Sequence, residues 1–258
     1  MPFRSTFECL WCGSSHAVRG PDDLEGWAHL CSTCLGRAGE NGFLRMRLKA
    51  ALGERASATT EPAAPDDDWY LRRGRHSRGP VHDLAWQVDL DAATVWLDEL
   101  PLGGEIVELA AGAGWWSPLL AGKGELSVYD AVGALLDQAR RRLLAHGLRA
   151  HLHVRDPWTE PDRTVDALFT GFWLGRQPRE RLAGALLLAR RWLRPGGTFA
   201  FVDSWPDPRS GVTEGSAPRS SSLVWGPAGL EAALLAAGFE AASVTTTSRF
   251  FLLARATA

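Results

Sequence analysis

The chain has 258 residues, 45% of them apolar, and a formal net charge of −2. That length suits one large domain, or one domain with a small module, and the near-neutral charge provides no whole-molecule field favouring nucleic acid. No apolar run approaches the roughly 18 residues of a membrane span, and Met1-Pro2-Phe3-Arg4-Ser5 opens without the apolar stretch of a signal peptide.

A cytoplasmic location is the expectation from these absences. In a reducing compartment cysteines serve more often as metal ligands than as disulfides. The twelve tryptophans form a surplus of large apolar groups. Such groups fill a core or line ligand pockets.

All four cysteines fall in the first 36 residues, as Cys9-Leu10-Trp11-Cys12-Gly13 and Cys31-Ser32-Thr33-Cys34-Leu35-Gly36. Two residues between cysteines let both thiolates reach one ion from a tight turn, and two such turns supply a closed tetrahedral set. Cys9, Cys12, Cys31 and Cys34 are therefore candidate ligands of a structural zinc ion, with redox dithiols or disulfides as alternatives. So short a region buries little apolar surface, and a metal would supply much of its folding energy. The spacing resembles a zinc ribbon. A short basic helix is expected over residues 37–55, closing a first module at 1–55. Residues 56–68 (ASATTEPAAPDDD) are small, polar and proline-bearing, and read as a linker to a domain spanning 69–258.

That domain alternates strand and helix signals. Strands are expected at Glu105–Leu109, Leu126–Tyr129, Ala150–Val154, Val165–Thr170 and Thr198–Val202. Helices are expected at Trp116–Ala121, Ala134–His146, Arg179–Leu193 and Leu230–Ala237, the last stopped by Gly238. Alternation of this kind predicts an α/β fold, an open and mostly parallel sheet covered on both faces. Two closely spaced strands, Ser243–Thr247 and Phe250–Ala254, must pair as a C-terminal antiparallel hairpin.

In Ile106-Val107-Glu108-Leu109-Ala110-Ala111-Gly112-Ala113-Gly114-Trp115-Trp116-Ser117 a strand carries an acid near its end, passes a small-residue turn and opens a helix. Gly112 and Gly114 permit φ > 0 and close approach of a ligand. The dinucleotide fingerprint wants a third glycine where Ser117 stands, which argues against NAD. This stretch, with the acids after the next two strands, resembles the Rossmann-like class I methyltransferases that use S-adenosylmethionine (SAM). The resemblance implies that Glu108 meets the methionine amino group, with Ala110 where the family's first glycine usually stands. It implies that Asp130 binds both ribose hydroxyls and Asp156 the adenine amino group, with Trp158 packing on the base. Leu193-Arg194-Pro195-Gly196-Gly197 matches the family's turn before the fifth strand. Acids at carboxyl ends of successive parallel strands lie where open α/β sheets bind ligands. Trp115 or Trp116 is a candidate to face the sulfonium by cation–π contact.

Methyl transfer is an in-line displacement, so the protein chiefly aligns the reactants and excludes water. Zinc would occupy every cysteine, leaving none as the nucleophile of a cytosine C5 transferase. Thr170-Gly171-Phe172-Trp173 stands where amino-methylating nucleic-acid enzymes carry Asn/Asp-Pro-Pro-Tyr. The likeness is instead to the small-molecule branch, whose histidine after the fourth strand is replaced here by Gly175-Arg176-Gln177. In this family the N-terminal segment caps the site, which makes Tyr70, His76 and His82 candidates for substrate or cofactor contact. Arg72 or Arg75 are candidates for a carboxylate.

The sequence therefore predicts methyl transfer from SAM to oxygen or nitrogen of a small molecule. Two alternatives stand beside it. One is an RNA methyltransferase, since some ribosomal-RNA guanine methyltransferases carry an N-terminal four-cysteine ribbon. Arg45, Arg47, Lys49, Arg72, Arg73, Arg75 and Arg78 would then have to form one basic face. The other is a SAM-binding protein without turnover.

Overall fold

The structure is a computed structural model, and it describes residues 6–8, 14–17, 31–33, 69–205 and 226–258. The described residues fall into two compact units, one containing those up to Leu90 and the other 91–205 with 226–258.

In the first unit, β1 (Thr6–Glu8) pairs antiparallel with β2 (Ser15–Ala17), Phe7 opposite His16. Cys9 and Cys12 belong to the connection between these strands and lie outside the described residues, as do Cys34, the expected basic helix and the linker. Cys31 is buried. Among the described residues no His/Cys/Asp/Glu cluster able to hold a metal is present. A 3-10 turn at Gly74–His76 precedes α1 (Pro80–Glu99). Asp83 anchors this helix start, accepting from Ser77 Oγ and, at 3.0 Å, from the Arg78 amide. The chain passes to the second unit within α1.

The sequence reading assigns no helix to α1, although Trp86, Leu90, Ala93 and Leu97 recur at helical spacing and are all buried. Other apolar residues, such as Val95 at 56% exposure, spread around the helix and blur that stripe.

The second unit is a seven-stranded sheet in the order β5-β4-β3-β6-β7-β9-β8. Its strands are β3 (Glu105–Leu109), β4 (Glu125–Asp130), β5 (His151–Val154), β6 (Val165–Gly171), β7 (Leu193–Ser204), β8 (Ala241–Thr246) and β9 (Phe251–Thr257). The first five are parallel to one another, and β9 is antiparallel to both β7 and β8. The helices between them are α2 (Ser117–Ala121), α3 (Gly133–Ala145), α4 (Leu182–Arg191) and α5 (Gly226–Ala236).

The open, mostly parallel sheet and its closing hairpin are as the sequence predicts. Several boundaries differ by one to five residues, two of them for visible reasons. A 3-10 turn at Arg179–Arg181 replaces the first turn of the expected fourth helix. β7 begins five residues early, because Leu193 already pairs with Val165 and the Pro195-Gly196-Gly197 turn is absorbed as an irregularity before Thr198 meets Ala167. An extra loop of this kind bends a strand without ending its pairing.

Buried Leu182, Ala185, Leu186 and Ala189 give α4 one apolar stripe. They pack with Val107, Leu109, Leu168, Phe199 and Phe201 into the main core. The strand order reverses between β3, whose successor β4 lies on one side, and β6 on the other. Ligands of open α/β sheets bind at the carboxyl ends beside such a switch point.

Candidate cofactor site at the carboxyl ends of the strands

Ala110, Gly112 and Gly114 all take positive φ, of 52°, 57° and 71°. This alternation folds the chain back at the end of β3 and leads it into α2. A Cβ on Gly114 would lie 2.6 Å from Ala139 Cβ and 2.7 Å from Ser117 Oγ, so α3 and the start of α2 close on a bare backbone. Ala110 holds the left-handed conformation with a side chain, which costs roughly 1–2 kcal/mol relative to right-handed backbone.

The turn is tied to the neighbouring strand. The Gly112 amide donates to Asp130 Oδ2 at 2.9 Å, and the Val132 amide donates to Oδ1 of the same carboxylate at 2.9 Å. From α3, Arg142 donates through Nε to the Ala113 carbonyl at 3.3 Å, and its guanidinium lies 5.1 Å from the Trp115 ring. Trp115 is half-buried. Trp116 is the packing member of the pair, 2% exposed and edge-on to Phe169.

Glu108 is 1% exposed, and Ser117 Oγ donates to its carboxylate. Burial pushes the Glu108 carboxyl up to about 8, with nearby Asp130 adding to the rise and Ser117 and Arg142 opposing it. A neutral acid at pH 7 is thus poised to ionise when a cation arrives.

Asp156 and Trp158 follow β5. Asp156 is exposed and accepts from the Trp158 amide at 2.9 Å, closing a short Asx turn. The Trp158 ring is half-buried, 5.4 Å from Trp173 and 5.4 Å from the Arg181 guanidinium. Glu108, Ala110, Gly112, Gly114, Trp115, Asp130, Asp156 and Trp158 therefore belong to one end of the sheet, in the last residues of β3 and β4 or in the segments that follow β3 and β5.

The remaining candidates belong to the first unit. Tyr70 is half-buried, packs edge-on to Trp69 at 4.9 Å, and its carbonyl accepts from Trp86 Nε1 at 2.8 Å. His76 ends the 3-10 turn, and His82 is buried in the first turn of α1 with Nδ1 3.8 Å from Asp83 Oδ1. The Arg72 guanidinium lies 3.4 Å over the Trp86 ring, a cation–π contact that already engages its charge. The Arg75 side chain lies outside the described residues.

The sequence reading passed over two residues at this end of the sheet. Arg142 comes from α3, and nothing local marks it. Asp203 is an acid near the carboxyl end of β7, the same signal that marks Asp130, but the expected strand stopped one residue short of it.

Comparison with known proteins agrees with this geometry. Residues 106–197 match the model of a methyltransferase domain. None of the curated proteins matches the chain significantly. Among solved structures, the DhpI–SAM–HEP complex is similar at 27% identity and a TM-score of 0.55, over 66% of this chain and 86% of that one. A DhpI complex with S-adenosylhomocysteine (SAH) is similar at 24% identity and a TM-score of 0.54, over 81% and 94%. The apo form of SibL, an S-adenosylmethionine-dependent methyltransferase, shares the fold at 18% identity and a TM-score of 0.56, over 86% and 76%. With the sheet order and the glycine turn already in place, these matches support a SAM-dependent methyltransferase.

Proposed function

We propose that the chain moves the methyl group of SAM to oxygen or nitrogen of a small molecule, with the cofactor lying across the carboxyl ends of β3, β4 and β5. Glu108 would meet the methionine ammonium, Asp130 the ribose hydroxyls and Asp156 the adenine amino group. Tyr70, His76 and His82 remain the candidates for the acceptor side.

The observation that carries the small-molecule reading is the end of β6. It runs Thr170-Gly171-Phe172-Trp173, and a Cβ on Gly171 would lie 2.9 Å from Trp116 Nε1. Neither this run nor the indole packed against its bare backbone offers the Asn/Asp-Pro-Pro-Tyr side chains with which amino-methylating nucleic-acid enzymes grip an extruded base. The similarity to DhpI, whose complex contains SAM and HEP, supports the same reading.

Zinc at Cys9, Cys12, Cys31 and Cys34 belongs to this proposal. It is supported by the spacing of the cysteines, by the pairing of β1 with β2 on either side of the first Cys-x-x-Cys, and by the burial of Cys31. The expected cytoplasmic location also remains a proposal. Among the described residues no helix is long and apolar enough to cross a membrane.

The test is transfer of labelled methyl groups from SAM into a cell extract divided into small-molecule and RNA fractions. Label in the small-molecule fraction supports the proposal. Label in RNA, with binding that falls steeply as salt rises and is lost on deleting residues 1–55, would replace it with the RNA reading.

A further inference from the structure

Asp203 lies at the end of β7 and is 2% exposed. Its Oδ2 accepts from the Gly175 amide at 2.8 Å, its Oδ1 accepts from the Ser204 amide at 2.7 Å, and the Leu174 amide adds a further bond. Burial pushes its carboxyl up to about 6, although these amides and Arg176 favour the charged form.

On the neighbouring strand, Phe172 takes a φ of 54° while its amide donates to the Val202 carbonyl at 2.8 Å. The β6–β7 ladder thus runs one residue past Gly171. The left-handed residue then throws the chain off the sheet into the 3-10 turn Leu174–Arg176, whose leading amides the Asp203 carboxylate holds.

Both features cost free energy. A bulky residue in the left-handed region is strained, and a buried carboxylate is tolerated only where its oxygens are bonded. Packing alone would be better served by an apolar residue at 203 and an ordinary φ at 172. The strain sits at the ligand end of the sheet. It is also continuous with the cofactor wall: Gly171 lies against Trp116, Trp116 precedes Ser117, and Ser117 bonds Glu108.

We propose that Asp203 is a positioning residue of the methyl-transfer site, fixing the backbone from Phe172 to Gly175 and, through Gly171 and Trp116, the wall beside Glu108. The inference rests on the reading that SAM lies across the carboxyl ends of the strands. Asp203 itself touches no cofactor in this account.

The experiment compares full-length wild type, Asp203→Ala and Asp203→Asn. It measures SAH affinity by calorimetry and amide exchange by NMR. Asp203→Ala should weaken SAH binding about ten-fold or more, because the segment it releases no longer holds the wall beside Glu108 in place, and small misplacements at a site cost affinity and rate on that scale. It should speed exchange of the Leu174 and Gly175 amides and leave those of Val107 and Val128 unchanged. Asp203→Asn keeps an acceptor for the Gly175 amide and should restore both readouts to within about three-fold. A fall in melting temperature with SAH affinity and the two amides untouched would overturn the proposal.

If Asp203→Ala does not fold, Asp203→Asn carries the test. Asp203→Asn should then keep SAH affinity and the exchange of the Leu174 and Gly175 amides within about three-fold of wild type, and a loss of SAH affinity with those amides unchanged would overturn the proposal. Failure of wild type to bind SAH would instead refute the cofactor reading, leaving the amide measurements to decide the role of Asp203.

Discussion

Gly112 and Asp130 are joined by a hydrogen bond of 2.9 Å from the turn amide to the carboxylate that ends β4. One oxygen of the proposed ribose-binding acid is thereby oriented before any ligand arrives. Asp130→Ala should lose roughly 1.5–3 kcal/mol of SAM affinity, typical of hydrogen bonds to a charged group. It should also loosen the Gly112 turn, so Asp130→Asn is expected to recover part of the loss. Calorimetry with SAM on the three proteins checks this. Unchanged affinity in Asp130→Ala would mean the ribose lies elsewhere.

Glu108 makes stability depend on pH in a definite direction. Its folded carboxyl titrates at about 8, above the ordinary value of 4.5, so between these limits the folded state holds a proton that the unfolded state has released. The folded state binds more protons, and this contribution to stability falls as pH rises from about 4.5 to 8. Asp203, raised to about 6, adds to the same trend over a lower window. Urea denaturation of wild type and Glu108→Gln should show the wild type losing ground to the variant, by on the order of a few kcal/mol, between pH 5 and 8. A constant difference would contradict a neutral Glu108. If Glu108 meets the cofactor ammonium, SAM binding at pH 7 should also release close to one proton, detected as a buffer-dependent binding enthalpy that Glu108→Gln abolishes.

Two positions in the turn have opposite expected responses. Ala110→Gly relieves a φ of 52° and should stabilise the fold by about 0.5–1 kcal/mol after the extra entropy of an unfolded glycine is subtracted. Gly114→Ala places a methyl 2.6 Å from Ala139 Cβ at a φ of 71° and should destabilise by roughly 2 kcal/mol or more. Denaturation midpoints of both variants decide. A stabilising Gly114→Ala would refute the close packing of α3 on the turn.

Much of this was legible in the sequence because its signals are local. The run Glu105–Leu109, the acid at 130 and the glycines at 112 and 114 are read from a few neighbouring residues. The parallel order follows from strands separated by helices. What escaped depends on contacts between distant segments. Arg142 reaches the Ala113 carbonyl from another helix, and Trp158 has Trp173 and Arg181 as neighbours from later segments. The left-handed backbone at Phe172 carries no glycine to announce it.

The cysteine module has its own test. Purified protein should contain one zinc ion per chain, with sulfur at about 2.3 Å by X-ray absorption. Cys31→Ser should lose most of the metal. Zinc-free protein with freely titratable thiols would remove zinc from the account.

A structure of the complex with SAH tests the central claim most directly. The account predicts both ribose hydroxyls within about 2.7 Å of the Asp130 carboxylate, as charge-assisted bonds require, with the methionine ammonium against Glu108 and the adenine beside Asp156. SAH bound away from the carboxyl ends of β3, β4 and β5, or a ribose without contact to Asp130, would contradict it.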